Sequence, residues 1–482
     1  MKSRIEKIKK KKGSALAYGL VIMMAVSIIL VSILQFVSSQ VRLSIFTAEK
    51  EQTFQLAEAG VYFYRWYLAH ETETLNSRQL NEFWASGNAL GVGEVYEKDF
   101  PEGNPIGKYQ IEVEAPEANS TIVTVKSTGW TYKNPNSKRT VQVRFRKPSW
   151  SEYAVVADAD IRFGEGTVIN GKIHSNGGIR FDGITYNIIT SLKDTYDDLD
   201  HGGADEFGVH THKTTIDPLP PASIPTRNDV FVAGRQFPVP EVSFTGFSED
   251  NEFLKEEAQS GSGIYFDDTG EGRKITLKTD GTFDVCTVNS FNTSTYAISS
   301  YRRNTGGGTC SSCSGNCLKN YPIPNDGIIF VEDNVWIGGS VNDRKVTVVA
   351  SDNDIVNPAS YGKNIYIGQN NLLYSNYDGS DIIGLVAQRN ISVIFNSLSD
   401  LTIDGALLAQ NGRVGRDYYS GNYKNSITVN GSIATKLRYG FAYTDGTGYH
   451  DRILNFDNNL LYYPPPYFPT GDAYAIDLWE EL

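Results

Sequence analysis

Seven cations, Lys2, Arg4, Lys7, Lys9, Lys10, Lys11 and Lys12, crowd the start of the chain against the single Glu6, and residues 13–41 then carry no charge at all. The most apolar part, residues 15–37, would cover roughly 35 Å as a helix, enough for a hydrocarbon core of about 30 Å. A cleaved secretory signal has a shorter apolar region, of about 7–15 residues, closed by a small-x-small site. Ser38-Ser39-Gln40-Val41-Arg42 is a poor match to such a site. A buried core helix would not stack seven cations against one end. The pattern predicts a transmembrane helix at 13–41, a basic cytoplasmic leader at 1–12, and the rest of the chain outside the cytoplasm.

The helical pattern does not stop at the membrane. Phe54, Ala57, Val61, Tyr64 and Leu68 recur at spacings of three and four with no proline among them, so one face of a continuing helix is expected to pack there. From 14 to 69 such a helix would run roughly 84 Å.

These residues carry a resemblance. The basic leader, Gly13-Ser14, the apolar span and Gln55-Leu56-Ala57-Glu58-Ala59-Gly60 resemble the N-terminal region of type IV pilin-like proteins, in particular minor pilins with a PilX-type start. The resemblance implies processing by a prepilin peptidase at the Gly13–Ser14 bond, and packing of the helix among other pilin or pilus-assembly subunits. It covers about the first seventy residues. One departure is plain: ordinary pilins carry a glutamate five residues into the mature chain, and Tyr18 stands there.

The chain has 482 residues, too many for one ordinary core, so two or three folded units are expected. Its formal charge is −12, and setting the cationic leader aside makes the remainder more acidic still. Nucleic acid is therefore disfavoured as a partner, since phosphates would be repelled, although Lys138, Arg139, Arg144, Arg146 and Lys147 form a local basic stretch. Abundant Gly, Asn, Asp, Ser, Thr and Tyr beyond the anchor point to an α+β, β-dominated protein dense in turns.

Residues 42–150 read as the helix continuation, a short helix from Asn76 to Trp84, and an antiparallel sheet of strands at 108–115, 121–127 and 139–146. The same order is found in pilin heads. From 151 the texture changes. Val168-Ile169-Asn170-Gly171, Thr402-Ile403-Asp404-Gly405 and Thr428-Val429-Asn430-Gly431 repeat one another loosely. Apolar pairs such as Val335/Ile337, Ile365/Ile367 and Ile391/Val393 lie between tight turns. Short strands at this spacing predict a right-handed parallel β-helix-like solenoid, with rungs at 151–189 and 327–450; a β-sandwich is the alternative. Residues 190–326 read as an irregular insertion, and the proline-rich segment within 451–482 as a strap over the solenoid's open end.

Cys286, Cys310, Cys313 and Cys317 are the only cysteines. Two disulfides are expected of an exported loop, with four-thiolate zinc ligation the alternative. His201, His210 and His212 lie among Asp197, Asp198, Asp200, Asp205 and Glu206, but the Gly-rich polar surroundings read as a solvated loop, and no metal ligands are assigned. His174 and His450 are given no chemistry. Parallel β-helices can host polysaccharide-acting enzymes with paired carboxylates, for which Asp158, Asp160, Glu165, Asp182, Asp333, Asp343 and Asp404 are available. Acids at turns are expected in any solenoid, and no nucleophile elbow, phosphate loop or zinc-protease helix is present. No catalytic residue or cofactor is assigned. The expectation is a non-enzymatic, membrane-anchored pilin-like subunit, touching membrane lipid, other pilus subunits and a surface ligand. The alternatives are a surface-anchored polysaccharide-acting enzyme and a plain anchored adhesin or envelope structural protein.

Overall fold

The computed structural model describes residues 14–72, 75, 77–85, 87–116, 122–147, 149–244, 250–260, 263–325, 327–469 and 474–482. The leader, Gly13 and the expected helix cap Asn76 lie outside these residues. Helix α1 (Ser14–Thr72) is unbroken over 59 residues, as a proline-free sequence permits. Its large apolar side chains from Leu16 to Phe46 are exposed, and those from Leu56 onward that face the sheet are buried. It is long and apolar enough to cross a membrane. A short helix, α2 (Ser77–Ala85), follows.

The second half of α1 lies on an antiparallel sheet of β1 (Tyr96–Phe100), β2 (Gly107–Glu114), β3 (Ile122–Thr131), β4 (Asn134–Arg146) and the C-terminal strand Ala475–Glu481, in that order. Strict alternation puts Val123 and Val125 of β3 and Val141, Val143 and Phe145 of β4 on the helix side, where all five are buried. Two strands exceed the three read from the sequence. Tyr96–Phe100 lacks alternation because it is an edge strand whose residues are all at least partly exposed. The C-terminal strand comes from more than three hundred residues away to cover the free edge of β4.

The larger unit is built from ladders of short parallel strands. The longest runs, in spatial order, Ile264–Phe266, Ile328–Val331, Lys345–Ala350, Ile382–Ala387, Asp400–Ala409, Tyr423–Thr435, Val155–Ala157, Ile173–Ser175, Ile189–Ser191 and Arg235–Gln236. The chain thus enters this stack in its middle. Residues 155–236 build toward one end, the chain then passes to the opposite end at Ile264, and residues 264–435 build back until Ile433 pairs with Val155. The stretch 190–326, expected as an insertion, supplies both end strands of this ladder.

That path explains why Ile382–Ala387 is buried at every position rather than at alternate ones. One face of the ladder lines the main core. The other is covered by Phe244, by Phe253 and Leu254 of helix α3 (Asp250–Gln259), and by Leu460 and Phe468. Strands covered on both faces read as continuous apolar runs. The proline-rich segment is part of this cover: Pro465 lies over Gly384, and Pro466 accepts a hydrogen bond from Thr347. It therefore lies along the flank of the middle strands, not over an end.

The loose Asn/Asp-Gly repeats align in space. Asn170 donates to Asn455, Asn455 to Asn430, and Asn430 to Asp404, each at 2.8 Å. The glycine after Asn430 has φ +152°, and a Cβ there would lie 2.0 Å from the Gly405 carbonyl oxygen. Only glycine lets the backbones approach so closely.

Candidate functional site

Ser14 begins α1, while its partner in the expected processing bond, Gly13, lies outside the described residues. Tyr18 is 68% exposed, in the same apolar cylinder as Leu16, Leu20 and Met23. Further along, Ala57, Val61, Tyr64 and Leu68 are buried against the sheet, and Phe54 is partly buried beside them. The Ala57-Glu58-Ala59-Gly60 element sits at the closest approach of helix and sheet. A Cβ on Gly60 would lie 2.2 Å from Ser127 Oγ, and one on Gly129 would lie 2.5 Å from both the Ala57 nitrogen and the Thr53 carbonyl oxygen. Small residues on both elements let the two backbones meet.

The basic stretch of β4 does not present a free cationic face. Arg144 pairs with Asp477 at 2.6 Å, Arg139 with Glu481, and Arg146 with Glu152. Lys138 lies 4.2 Å over the Trp130 ring. Two of these acids come from the C-terminal strand.

The cysteines pair as Cys286–Cys313 and Cys310–Cys317, leaving no free thiol for zinc. They tie a lobe of antiparallel strands, including Thr282–Phe291 and Ile298–Arg302, to a small cluster containing Tyr301, Trp336 and Tyr366.

Of the three histidines read as solvated, His201 is exposed, whereas His210 is buried and His212 partly so. The hairpin pairing Thr195–Tyr196 with Glu206–Phe207, and the next strand Val209–His210, gather Asp198, Glu206, His210 and His212 so that one ligand atom from each lies within 4.8 Å of the others. Asp198, Glu206 and His210 are buried. The Glu206 carboxylate lies 2.7 Å from His210 Nε2, 2.9 Å from His212 Nε2 and 2.8 Å from His201 Nδ1. His201 stands at the rim, its side chain half-exposed. Burial alone would raise the Asp198 carboxyl, but His210, the Asp200 backbone N–H and Arg180 together hold it well below the usual range. Arg180 is shared, its Nε 2.9 Å from Asp182 and its Nη1 3.5 Å from Asp198. A signal for this cluster was present in the sequence as His210-x-His212 with Glu206 four residues earlier; burial was what the composition hid.

Beside His212 opens a cleft of about 710 Å³ lined by Arg162, Arg180, Asp182, Asp200 and Arg438 among others. Two of its acids are engaged, Asp200 with Arg438 and Arg162, and Asp182 with Arg180; Glu165 also lines it. Arg438 is the main reason the Asp200 carboxyl is held low. A general acid–base pair needs one carboxyl free to exchange its proton, and the arginines hold Asp200 as a carboxylate.

No family model matches this sequence, and no curated protein matches it. Among solved structures, the chain matches the crystal structure of the competence-associated pilin ComZ from Thermus thermophilus at 11% identity, over 90% of this chain and 98% of that one, with a TM-score of 0.30. At that score nothing about fold or role is transferred from it.

Proposed function

We propose that this chain is a membrane-anchored, non-enzymatic pilin-like subunit, a minor pilin or pilus-assembly protein with a PilX-type start, displaying an extracytoplasmic parallel β-solenoid. One observation carries the reading: α1 is a single rigid helix put to two uses. Its first thirty or so residues are apolar on every face and exposed, whereas from Thr53 onward it is the core element of an antiparallel sheet. Such a cylinder has two stable surroundings, lipid and a bundle of like helices, because apolar surface left in water is costly at about 25 cal/mol per Å². A subunit that moves from membrane to filament exchanges one for the other.

The leader supports a cytoplasmic N-terminus, since clustered lysines are retained on that side. The solenoid reading is supported by the parallel register of the longest ladder and by the Asn170–Asn455–Asn430–Asp404 row; a sandwich would stack antiparallel sheets face to face. The arginine-lined cleft is where the projecting unit would take a surface ligand. The pairing of Asp182 and Asp200 with arginines supports a binding role over hydrolysis of polysaccharide.

The test is the N-terminal residue of the protein recovered from cells, read by mass spectrometry, with immunodetection in sheared filaments. A mature chain beginning at Ser14 and present in the sheared fraction is expected. An intact leader together with absence from filaments would sink the proposal in favour of a plain anchored surface protein.

A further inference from the structure

We propose that Asp198, Glu206, His210 and His212 bind one divalent transition-metal ion, zinc by the nature of the donors, and that this ion locks one edge of the β-rich unit.

His210 Nδ1 faces the Phe207 carbonyl oxygen at 3.2 Å, an arrangement that suits the tautomer in which Nε2 serves as the ligand atom. Nε2 is buried 2.7 Å from Glu206 Oε2, yet it makes no hydrogen bond among the described residues. Glu206 itself is met by His212 Nε2 at 2.9 Å and by His201 Nδ1 at 2.8 Å, so three imidazoles converge on one buried carboxylate while His210 Nε2 stays without a hydrogen bond, an arrangement that a shared cation would satisfy. Asp198 Oδ1 accepts the Asp200 backbone N–H at 3.0 Å, while its buried Oδ2 lacks a hydrogen bond among the described residues and has instead the longer contacts to Arg180 Nη1 at 3.5 Å and His210 Nε2 at 3.6 Å.

The fourth donor, His212 Nε2, is 2.9 Å from Glu206 Oε2, and its backbone N–H is fixed by Asp182 at 2.8 Å. Tetrahedral ligands about 2.0–2.1 Å from zinc stand roughly 3.3 Å apart, inside the span of this set. A carbonyl on the far ring nitrogen is the partner that metal-bound imidazoles usually have. Two imidazoles with two carboxylates suit zinc and its neighbours rather than calcium or magnesium, which take oxygen ligands. Arg180 supplies one positive charge, shared between Asp182 and Asp198; a divalent ion would balance Asp198 and Glu206 together.

Position gives the ion its role. Val209–His210 is the outer strand of a parallel ladder with Ile179–Phe181 and Ile161–Phe163, and the hairpin bearing Asp198 and Glu206 folds beside it. An ion bridging the two would close this margin of the stack, where exposed strand edges otherwise invite pairing with other chains.

The experiment uses the full-length protein in detergent with a histidine-free affinity tag. Metal content is read by elemental mass spectrometry as purified, after chelation and after readdition of zinc, alongside thermal unfolding. About one zinc per chain is expected, with a lower unfolding midpoint after chelation and recovery on readdition. Glu206→Gln and His212→Gln should each lose the ion, while His201→Gln keeps it. Cobalt in place of zinc should give the visible absorption of a tetrahedral site. The proposal is overturned if the native chain neither holds nor responds to zinc, or if the Glu206→Gln/His212→Gln protein retains the same stoichiometry. A merely structural histidine–carboxylate network predicts the first of those results.

Discussion

Gly60 and Ser127 set the closest approach of α1 to its sheet, and replacing Gly60 by alanine asks whether a single hydroxyl defines it. The new Cβ would lie 2.2 Å from Ser127 Oγ and 3.0 Å from Tyr109 Cδ2, both side-chain atoms. Alanine is favoured over glycine inside a helix by about 0.8–1.0 kcal/mol, while overpacking costs about 1–3 kcal/mol. Gly60→Ala alone should therefore destabilise by roughly 0–2 kcal/mol. Ser127 Oγ is buried and has no hydrogen-bond partner among the described residues. Ser127→Ala removes a stranded hydroxyl and should be neutral or stabilising by about 1 kcal/mol. The double variant keeps the helical gain, loses the obstruction, and should exceed the native protein by about 1–2 kcal/mol. Denaturant titration of the four proteins, followed by tryptophan fluorescence, gives the cycle. Effects that add to within about 0.5 kcal/mol would refute the reasoning, because the hydroxyl would then not be what holds the helix off. Gly129→Ala is the contrast. Its Cβ meets backbone atoms of Ala57 and Thr53 at 2.5 Å, so it should cost more than Gly60→Ala, and Ser127→Ala should not rescue it.

Asn430 receives from Asn455 and donates to Asp404, so Asn430→Ala should cost about 1–3 kcal/mol, more than Asn170→Ala at the ladder's exposed end; equal costs in urea titration would mean that the row is incidental. Burial lowers the His174 pKa below its ordinary 6.5, against the opposing effect of the hydrogen bond that its Nε2 donates to Asn176 Oδ1. The unfolded chain therefore binds the proton first, and His174 loses stabilising value as pH falls from about 6.5 toward its folded value. The thermal stability gap between the native protein and His174→Gln should narrow between pH 7.5 and pH 5, and a constant gap would contradict this. Reducing Cys286–Cys313, whose ends are 27 residues apart, should remove roughly 3–4 kcal/mol from the lobe on loop entropy. Hydrogen exchange should then rise in residues 282–318 while the ladder of residues 382–387 stays protected.

What could be read in the sequence followed from strict periodicity. Alternation in Val141, Val143 and Phe145 marked β4, and the spacing of Ala57, Val61, Tyr64 and Leu68 marked the side of α1 that lies on the sheet. The Asn-Gly and Asp-Gly repeats were visible because glycine follows three of the four stacked side chains, Asn170, Asp404 and Asn430. Asn455 was missed because Phe456 follows it. The order of the stack was not legible, since Ile-x-Ile pairs are physically interchangeable and nothing in Val155-Val156-Ala157 names Tyr423–Thr435 as its neighbour. The histidine cluster was misread for a related reason. Polar residues between glycines look solvated until a hairpin folds them inward.

That stacking order also decides when the molecule can finish folding. The strand at Val155–Ala157 is needed early in synthesis, yet its partner at Ile433–Thr435 emerges roughly 280 residues later, or about 14–56 s at ordinary elongation rates. During that delay an apolar strand edge waits uncovered, ready to pair with a second nascent chain. The small sheet waits too, since β4 is completed only by Ala475–Glu481. A chain cut short before the tail therefore leaves the sheet beneath the helix unsealed, and one cut before residue 433 leaves both units open at once.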